Sequence, residues 1–207
     1  MTGILFDLDG TLLDTLEDLA DSTNFALRAF GYPERSREEV RRFVGNGAAL
    51  LIRRAVPENA DPAPVLDTFR AHYQANCQNK TGPYPGIPEA LAKLSCPIAI
   101  VSNKPDPAVK ALCADYFPGI YALGESPDCP RKPAPDMVKK AMDAIGVDRC
   151  VYVGDSEVDV LTAENAGVPC LSVLWGFRNR EEIGGTHYCE KPEDLPGMII
   201  QMQHALL

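Results

Sequence analysis

The sequence predicts an α/β protein in which a doubly wound, mostly parallel, Rossmann-like sheet carries an inserted all-α unit. Three observations predict this class. Short apolar runs alternate with helical patterns after residue 82, residues 15–79 show a helical pattern without strand-like alternation, and a strand-like run at residues 3–6 precedes them. Strands that alternate with helices form a parallel sheet covered on both faces. The first run has no helix partner before the helical unit, so it most simply belongs to this later sheet.

Length and composition limit the possible functions. The 207 residues are enough for one domain that carries a smaller insert. The formal net charge of -9 argues against a nucleic-acid partner, which would need clustered Lys and Arg. Neither a basic leader nor an apolar run long enough for a membrane span follows Met1, so we expect a cytoplasmic protein, monomeric or homodimeric, without a membrane partner. The seven cysteines occur singly, which predicts reduced structural thiols.

The helical unit is predicted to contain four helices. Apolar residues recur at helical spacing up to residue 30, where Gly31 and Pro33 end the first helix. Ser36 and Glu39 form a capping box that opens the second helix, and Pro57 closes the third. The predicted helices cover residues 15–30, 36–45, 48–56 and 62–79. This unit is expected to form a lid over the sheet.

The sheet part resumes after the segment rich in Pro and Gly at residues 81–86. Short runs with many β-branched residues then alternate with helical patterns. The predicted strands cover residues 98–101, 121–123, 150–153 and 170–174. The expected division is therefore a sheet part made of residues 1–14 and 83–207, and a helical insert at residues 15–82.

Two carboxylates lie directly after the first strand, at Asp7 and Asp9, with Gly10 and Thr11 following them. Oxygen atoms at such a turn can bind a hard divalent cation, and an Asp held there can attack phosphorus. An ordinary turn is the alternative, since Asp and Gly are frequent turn residues. An EF-hand loop fits poorly because Thr11 and Leu12 would occupy its fifth and sixth positions. The turn suggests metal-assisted phosphoryl transfer.

Two polar segments follow later strands, where open α/β sheets bind their ligands. Ser102, followed by Asn103 and Lys104, offers a hydroxyl and backbone amides to phosphate oxygens, and an ordinary polar turn is the alternative. Lys132 lies in a loop stiffened by two prolines just before a helix. Its ammonium can neutralise a nucleophilic carboxylate and phosphoryl oxygens, whereas a Lys exposed to water is the alternative.

A third polar segment follows the strand at residues 150–153. Asp155 and Asp159 are four residues apart, on one face if both lie in the first turn of a helix. Acidic capping of that helix is one interpretation. The other is that Asp155 provides a second anchor for the cation suggested by Asp7 and Asp9.

These four segments, in this order and each after a strand, resemble the motifs of the haloacid dehalogenase superfamily of phosphohydrolases. The resemblance extends over essentially the whole chain, and the helical insert after the first motif is similar to the α-helical cap of one subclass. The resemblance implies a magnesium-dependent phosphomonoester hydrolase. Its substrate would be a small phosphorylated metabolite.

The resemblance also implies roles for individual residues. Asp7 would be the nucleophile that forms an aspartyl-phosphate, and Asp9 the general acid and base. Nearby carboxylates are expected to favour a protonated Asp9. Mg²⁺ would be bound by the carboxylates of Asp7 and Asp155 and the backbone carbonyl of Asp9, with Asp159 in support. The phosphoryl oxygens would be bound by Thr11, Ser102, Asn103 and Lys132.

Specificity is expected to come from the helical insert. The segment at residues 43–48 and the segments at residues 84–86, 102–105 and 175–178 are similar to phosphoglycolate phosphatases within the superfamily. Candidate specificity residues are Gly45, Asn46, Gly47, Arg42 and Arg53, the arginines for a substrate carboxylate. A β-phosphoglucomutase-like phosphotransferase, a broad nucleotidase or pyrophosphatase, and a non-catalytic phosphate-binding protein are the alternatives.

Overall fold

The computed structural model describes residues 2–205, which form eight strands and ten α-helices. The strands are β1 (Thr2–Phe6), β2 (Leu13–Asp14), β3 (Gly82–Pro83), β4 (Ile98–Pro105), β5 (Tyr121–Glu125), β6 (Arg149–Gly154), β7 (Cys170–Val173) and β8 (Tyr188–Cys189). The helices are α1 (Leu16–Ala29), α2 (Arg37–Phe43), α3 (Ala48–Ala55), α4 (Ala63–Asn76), α5 (Ile87–Leu91), α6 (Asp106–Tyr116), α7 (Asp136–Ile145), α8 (Glu157–Ala166), α9 (Arg180–Ile183) and α10 (Leu195–His204). Met1, Leu206 and Leu207, assigned to the sheet part by the sequence, lie outside the described residues.

Six of the strands form one sheet in the order β5-β4-β1-β6-β7-β8, and all neighbouring pairs are parallel. Strand β1 lies in the middle, where Ile4 pairs with Ile98 on one side and Val151 on the other. The chain adds strands first on one side of β1 and then on the other. The end of β1 is therefore the switch point at which such sheets bind ligands.

Successive residues of the central strands face opposite layers of helices. Ile4 and Phe6 belong to the larger hydrophobic core, which includes apolar residues of α5, α6 and α10. Leu5 and Tyr152 belong to the second core, with apolar residues of α7 and α8. Burial on both faces explains the uninterrupted apolar runs of these strands. The predicted doubly wound α/β class is confirmed.

Along the chain, helices α1 to α4 come after β1 and before the other strands of the large sheet. Their bounds are close to those expected from the sequence. No sequence pattern indicated the small antiparallel ribbon at their base. In this ribbon, Leu13 on β2 pairs with Pro83 on β3, and Asp14 pairs with Gly82. The ribbon brings together the points at which the chain enters and leaves the four helices.

The segment between α4 and β3, where the chain returns to the sheet part, is held by one buried carboxylate. Asp18 on α1 is 2% exposed and accepts hydrogen bonds from the amides of Lys80 and Thr81 and from the Thr81 hydroxyl, at 2.9–3.1 Å. The Thr81 carbonyl accepts a further bond of 2.7 Å from the Tyr116 hydroxyl on α6. These contacts fix the segment next to β3 to both α1 and α6.

Strand β4 is longer than the sequence predicted. It continues from Ile98 to Pro105, with a shift of its pairing with β5 between Val101 and Pro105. Ser102, Asn103 and Lys104 are buried in this extension and are not in an exposed turn. No helix between residues 2 and 205 is long and apolar enough to cross a membrane.

We expect Asp18→Ala to lower the free energy of unfolding by about 3 kcal/mol, because two backbone amides and a hydroxyl lose a charged acceptor in a buried position. Urea denaturation followed by circular dichroism measures this change. Asp21→Ala is the matched control on the same helix. Asp21 forms an exposed ion pair of 2.7 Å with Lys80, and its loss is expected to cost about 0.5 kcal/mol. Equal losses in the two variants would contradict the assignment of Asp18.

Candidate active site

Asp7 lies at the end of β1, where its amide donates a hydrogen bond of 2.8 Å to the carbonyl of Val153 on β6. Its carboxylate is 2.8 Å from the ammonium of Lys132, which comes from the loop before α7. The same ammonium is 2.8 Å from Asp159 on α8. Three segments distant in the sequence therefore meet at one buried cation.

Both carboxylate oxygens of Asp159 are already occupied. Oδ1 accepts hydrogen bonds from Lys132 and from the Tyr152 hydroxyl, at 2.8 and 3.1 Å. Oδ2 accepts from the amide and hydroxyl of Ser156, at 3.1 and 2.6 Å. Asp159 is thus suited to holding Lys132 and the start of α8 in place.

Burial and mutual charge set the protonation of this group. Burial raises the pKa of Asp7 well above its ordinary value, the charge of Asp159 acts in the same direction, and Lys132 opposes them. Burial also disfavours the charge of Lys132, but the attraction of Asp159 and Asp7 outweighs it and places the pKa of Lys132 well above its ordinary value. Lys132 therefore remains a cation across the neutral pH range.

Asp155, which follows β6, is fixed by two donors. The Thr11 hydroxyl is 3.1 Å from its Oδ1, and the Phe177 amide is 2.7 Å from its Oδ2. Gly10 permits the close approach of the first turn, since a Cβ there would lie 2.3 Å from the Asp155 carboxylate and the residue has a φ of +85°. The Trp175 indole donates a bond of 2.9 Å to the Thr11 carbonyl, which fixes this turn from the other side.

Asp7, Asp155 and Asp159 form a cluster in which one carboxylate oxygen of each lies within 4.8 Å of the others. Burial, followed by the charge of Asp159, raises the pKa of Asp155 to about 7. A divalent cation would offset this repulsion, and an all-oxygen donor set suits a hard ion such as Mg²⁺. The residues present therefore fit a metal.

Asp9 faces a different cation, Lys104. The two side chains form an ion pair of 2.6 Å, in which Lys104 is 3% exposed. The ammonium also lies over the ring of Tyr73 on α4, 4.7 Å from its centroid. The sequence led us to expect a carboxylate environment for Asp9, whereas the structure places an ammonium against it.

Ser102 and Asn103 differ in their availability to a ligand. The Ser102 hydroxyl accepts a hydrogen bond of 3.2 Å from the Lys104 amide, which leaves its proton free for an acceptor. The Asn103 side chain instead bonds to the backbone of Lys132 at both ends, at 2.8 and 2.9 Å, and its amide also donates to the Gly45 carbonyl at 3.2 Å. Asn103 therefore positions the Lys132 loop against the helical insert.

A cavity of about 60 Å³ lies between the sheet and the four-helix insert. The sheet part contributes polar and charged walls, and the insert contributes mainly apolar ones. Its lining includes Asp7, Asp9, Ser102, Asn103, Lys104, Lys132 and Asp155 from the sheet part, and Leu19, Val44, Gly45, Gly47, Ala48, Leu51, Phe69 and Tyr73 from the insert. Of the expected specificity residues, Gly45 and Gly47 lie at the cavity.

The insert is joined to the cavity rim through Arg178. Its guanidinium donates to the carbonyls of Arg41 and Val44, both at 2.7 Å, at the end of α2. Carbonyls at a helix C-terminus lack intrahelical partners and carry partial negative charge. In return, the Arg41 guanidinium donates to the Phe177 carbonyl. This buried arginine therefore fixes the position of α2 over the sheet.

The structure places four residues singled out by the sequence away from the cavity lining. Arg42 is exposed and bonds Glu38 at 3.2 Å, and Arg53 bonds the Ala60 carbonyl at 3.3 Å. Asn46 is also absent from the lining. The hydroxyl of Thr11 is directed to Asp155, so Thr11 is suited to orienting a carboxylate and not to contacting phosphate. Both arginines lie on exposed helix faces that satisfy them locally.

Sequence reasoning missed Lys104, Tyr73 and Arg178 as members of the site. Lys104 could have been found if the strand had been predicted to continue beyond Val101. Ser102 and Lys104 would then lie on the same face of the strand, because alternate residues of a strand share a face. Arg178 lies in the segment at residues 175–178 that the sequence singled out, but its role depends, like that of Tyr73, on partners distant in the sequence.

Comparisons with known proteins agree with this geometry. The family described as haloacid dehalogenase-like hydrolase matches residues 4–173. The phosphoglycolate phosphatase of Rhodobacter capsulatus is 35% identical, over 95% of each chain. That of Pseudomonas syringae pv. tomato is 34% identical, over 95% of this chain and 75% of the relative. A crystal structure from Lactobacillus delbrueckii subsp. bulgaricus has a TM-score of 0.90 and 35% identity, covering 95% of this chain and 97% of that one.

The chain belongs to the haloacid dehalogenase-like hydrolase family. The resemblance inferred from the four motifs is thereby confirmed. The enzyme class expected from them, a phosphatase, is confirmed as well.

We expect Asp155→Asn to stabilise the metal-free protein at pH 8 by up to about 4 kcal/mol, and much less at pH 4. The folded-state pKa of Asp155, about 7, exceeds the ordinary value of 3.8, so its favourable contribution is present below pH 4 and is lost as the pH rises through 7. The asparagine remains neutral throughout. Urea denaturation in EDTA across this pH range measures the effect. As a control, replacement of the exposed Asp143 in Asp143→Asn should leave the dependence of the free energy of unfolding on pH unchanged. If Asp155→Asn showed the same dependence as the unaltered protein, the prediction would be contradicted.

Proposed function

We propose that the protein is a magnesium-dependent phosphomonoester hydrolase that acts through an aspartyl-phosphate intermediate on phosphoglycolate or a closely similar small metabolite. One observation carries the chemistry. The buried carboxylate of Asp7 lines a cavity at the switch point of the sheet, paired at 2.8 Å with Lys132, while Asp9 has its own cation in Lys104. Two carboxylates in one cavity thus have different environments, as different chemical roles require.

Magnesium would be held by the carboxylates of Asp7 and Asp155 and by the backbone carbonyl of Asp9, with Asp159 supporting from nearby. The all-oxygen donor set and the raised pKa values of Asp7 and Asp155 support this assignment. A magnesium ion bound there supplies charge neutralisation for the phosphoryl oxygens. It also favours the ionised form of Asp7 that nucleophilic attack requires.

The first step forms a bond between a carboxylate oxygen of Asp7 and phosphorus while the bond from phosphorus to the leaving oxygen breaks. Asp9, in its protonated form, donates a proton to that leaving oxygen, which departs as an alcohol, and Lys104 pairs with the carboxylate that remains. In the second step, Asp9 takes a proton from water as the water oxygen attacks phosphorus. The phosphoryl group leaves as inorganic phosphate, and Asp7 and Asp9 return to their starting forms.

Charge and positioning supply most of the rate enhancement in phosphoryl transfer. Lys132 lies against Asp7, where its positive charge stabilises the phosphoryl oxygens once the phosphoryl group is bound to Asp7, and the free hydroxyl proton of Ser102 adds a neutral donor. Asn103 positions the Lys132 loop, and Thr11 orients Asp155. Lys132 and Ser102 would thus touch the phosphoryl group. Asn103 would act through Lys132, and Thr11 would act through Asp155.

The substrate proposal rests on the relatives. Both curated relatives described above are phosphoglycolate phosphatases. The apolar walls from the insert, such as Leu51 and Phe69, exclude water around the leaving group.

We also propose the division of the chain into a core made of residues 1–14 and 83–207 and a cap made of residues 15–82. The ribbon of β2 and β3 supports these limits because it joins the two ends of the cap. The cavity between core and cap supports a role for the cap in substrate selection.

We expect Asp7→Asn to reduce magnesium-dependent hydrolysis of p-nitrophenyl phosphate by about 10⁴-fold or more, because an amide cannot form the intermediate. Steady-state kinetics and trapping of phosphorylated protein measure this. The control Asp67→Asn alters an exposed residue of α4 and should retain full activity. EDTA should abolish activity, and added Mg²⁺ should restore it. An inert unaltered protein, or an equally active Asp7→Asn variant, would overturn the proposal.

Among phosphomonoesters, we expect phosphoglycolate to give a kcat/KM at least about tenfold above that of hexose phosphates and nucleoside monophosphates, because the relatives that match most of the chain are phosphoglycolate phosphatases. A panel of these substrates, followed by phosphate release, measures the preference. A preference for a hexose phosphate or a nucleotide would contradict the substrate assignment while leaving the phosphatase assignment intact.

A further inference from the structure

Tyr73 carries a hydroxyl that lacks a hydrogen-bond partner among the described residues. The residue lies on α4, is 4% exposed and lines the cavity. Burial raises its pKa, so the hydroxyl stays protonated and can donate. Buried polar groups without partners are rare in native proteins, and each one requires an explanation. A ligand acceptor in the cavity provides one.

Lys104 lies beside Tyr73 with unused donor capacity. Its ammonium has three donors, and its only hydrogen-bond acceptor among residues 2–205 is Asp9, at 2.6 Å. It lies over the Tyr73 ring, 4.7 Å from the centroid, and is close enough to the hydroxyl to oppose the rise of its pKa, but no hydrogen bond of normal geometry joins the two groups. Lys104 therefore keeps donors for a further acceptor.

The other cations at the cavity are already engaged. Lys132 contacts Asp7, Asp159 and the Tyr152 hydroxyl, at 2.8, 2.8 and 3.1 Å. Arg178 bonds the carbonyls at the end of α2. Among the described lining residues, Lys104 is thus the cation best placed to recognise a second anionic group of a substrate.

The position of Lys104 indicates which part of a substrate it meets. Asp9 is proposed to donate its proton to the leaving oxygen, and such a hydrogen bond spans roughly 2.5–3.0 Å. Lys104, at 2.6 Å from Oδ1 of Asp9, is therefore within about 6 Å of a leaving oxygen that bonds the same carboxylate oxygen, and within about 8 Å of one that bonds the other. An acid group separated from that oxygen by one carbon lies within reach of this ammonium.

We propose that the Tyr73 hydroxyl and the Lys104 ammonium form a subsite for a carboxylate on the leaving group, next to the ester oxygen. The subsite rests on the proposed phosphatase function and explains how a carboxylate is recognised although Arg42 and Arg53 lie elsewhere. Phe69, which stacks on Tyr73 with ring centroids 5.4 Å apart, and Leu51 keep water away from it. Hydrogen bonds to a carboxylate are strong in such surroundings.

The test compares phosphoglycolate with 2-hydroxyethyl phosphate, in which a neutral hydroxyl group replaces the carboxylate. The measured quantity is the ratio of kcat/KM for the two substrates, which is expected to exceed tenfold in the unaltered protein. Tyr73→Phe should lower this ratio about tenfold, mainly through KM for phosphoglycolate. Lys104→Met should lower it about 100-fold, because the lost hydrogen bond is charged. Lys104→Arg should restore part of the ratio.

Tyr188→Phe is the matched control, since the Tyr188 hydroxyl bonds the Gly185 carbonyl at 2.6 Å and the residue is absent from the cavity lining. This variant should keep the full ratio. Tyr73→Phe should also unfold at a temperature no lower than the unaltered protein, because it removes a buried hydroxyl without a partner. That result keeps a loss of selectivity separate from a loss of folding.

The outcomes distinguish the subsite from the proposed function. A ratio unchanged in both Tyr73→Phe and Lys104→Met overturns the subsite alone, as does a Lys104→Met variant that is slower on both substrates in equal proportion, since Lys104 would then serve only Asp9. Hydrolysis of 2-hydroxyethyl phosphate as efficiently as phosphoglycolate by the unaltered protein also overturns the subsite alone. Hydrolysis of neither substrate overturns the proposed function together with the subsite.

Discussion

The ion pair of Lys132 with Asp7 and Asp159 is the interaction on which the site depends. The lysine side chain is 2% exposed, and removing such a charge from water costs several kcal/mol unless it is paired and hydrogen-bonded. Here two carboxylates and the Tyr152 hydroxyl surround it, and Asn103 fixes its backbone on both sides. The ends of β1 and β6, the β4 extension and the loop before α7 therefore have to come together for the charge to be buried. One cation thus couples the folding of the sheet to the geometry of the site.

The helical insert is held to this centre in two chemically different ways. Near its base, Asp18 accepts from backbone amides in a buried position, which fixes the return segment firmly. Over the cavity, Arg178 and Asn103 donate to carbonyls at and beyond the end of α2, including that of Gly45. At its base the insert thus accepts amide protons with a buried carboxylate, whereas over the cavity its carbonyls accept protons from side chains of the sheet part.

The sequence predicted those features that depend on local pattern. The parallel sheet follows from alternating strands and helices, and the meeting of Asp7 and Asp155 follows from the common edge to which parallel strands deliver their ends. The ribbon of β2 and β3 was missed because two-residue strands have no periodicity to detect. Lys104 was missed because Ser102 and its neighbours have the composition of a turn, and their burial depends on partners in the insert and in the Lys132 loop. The side-chain directions of exposed arginines depend in the same way on packing that no local pattern encodes.

A net charge of -9 and a cluster of carboxylates are unfavourable surroundings for an anionic substrate. The structure offsets this locally, because each of the two carboxylates after β1 has its own buried ammonium, Lys132 for Asp7 and Lys104 for Asp9. Lys104 comes from the extension of β4 and Lys132 from the loop before α7, and they lie against different parts of the cavity. One is placed to act on the transferring phosphoryl group and the other on the group that leaves. Asp7 and Asp9 are only two residues apart in the sequence. Their different roles, attack for Asp7 and proton transfer for Asp9, therefore depend on which lysine faces each of them.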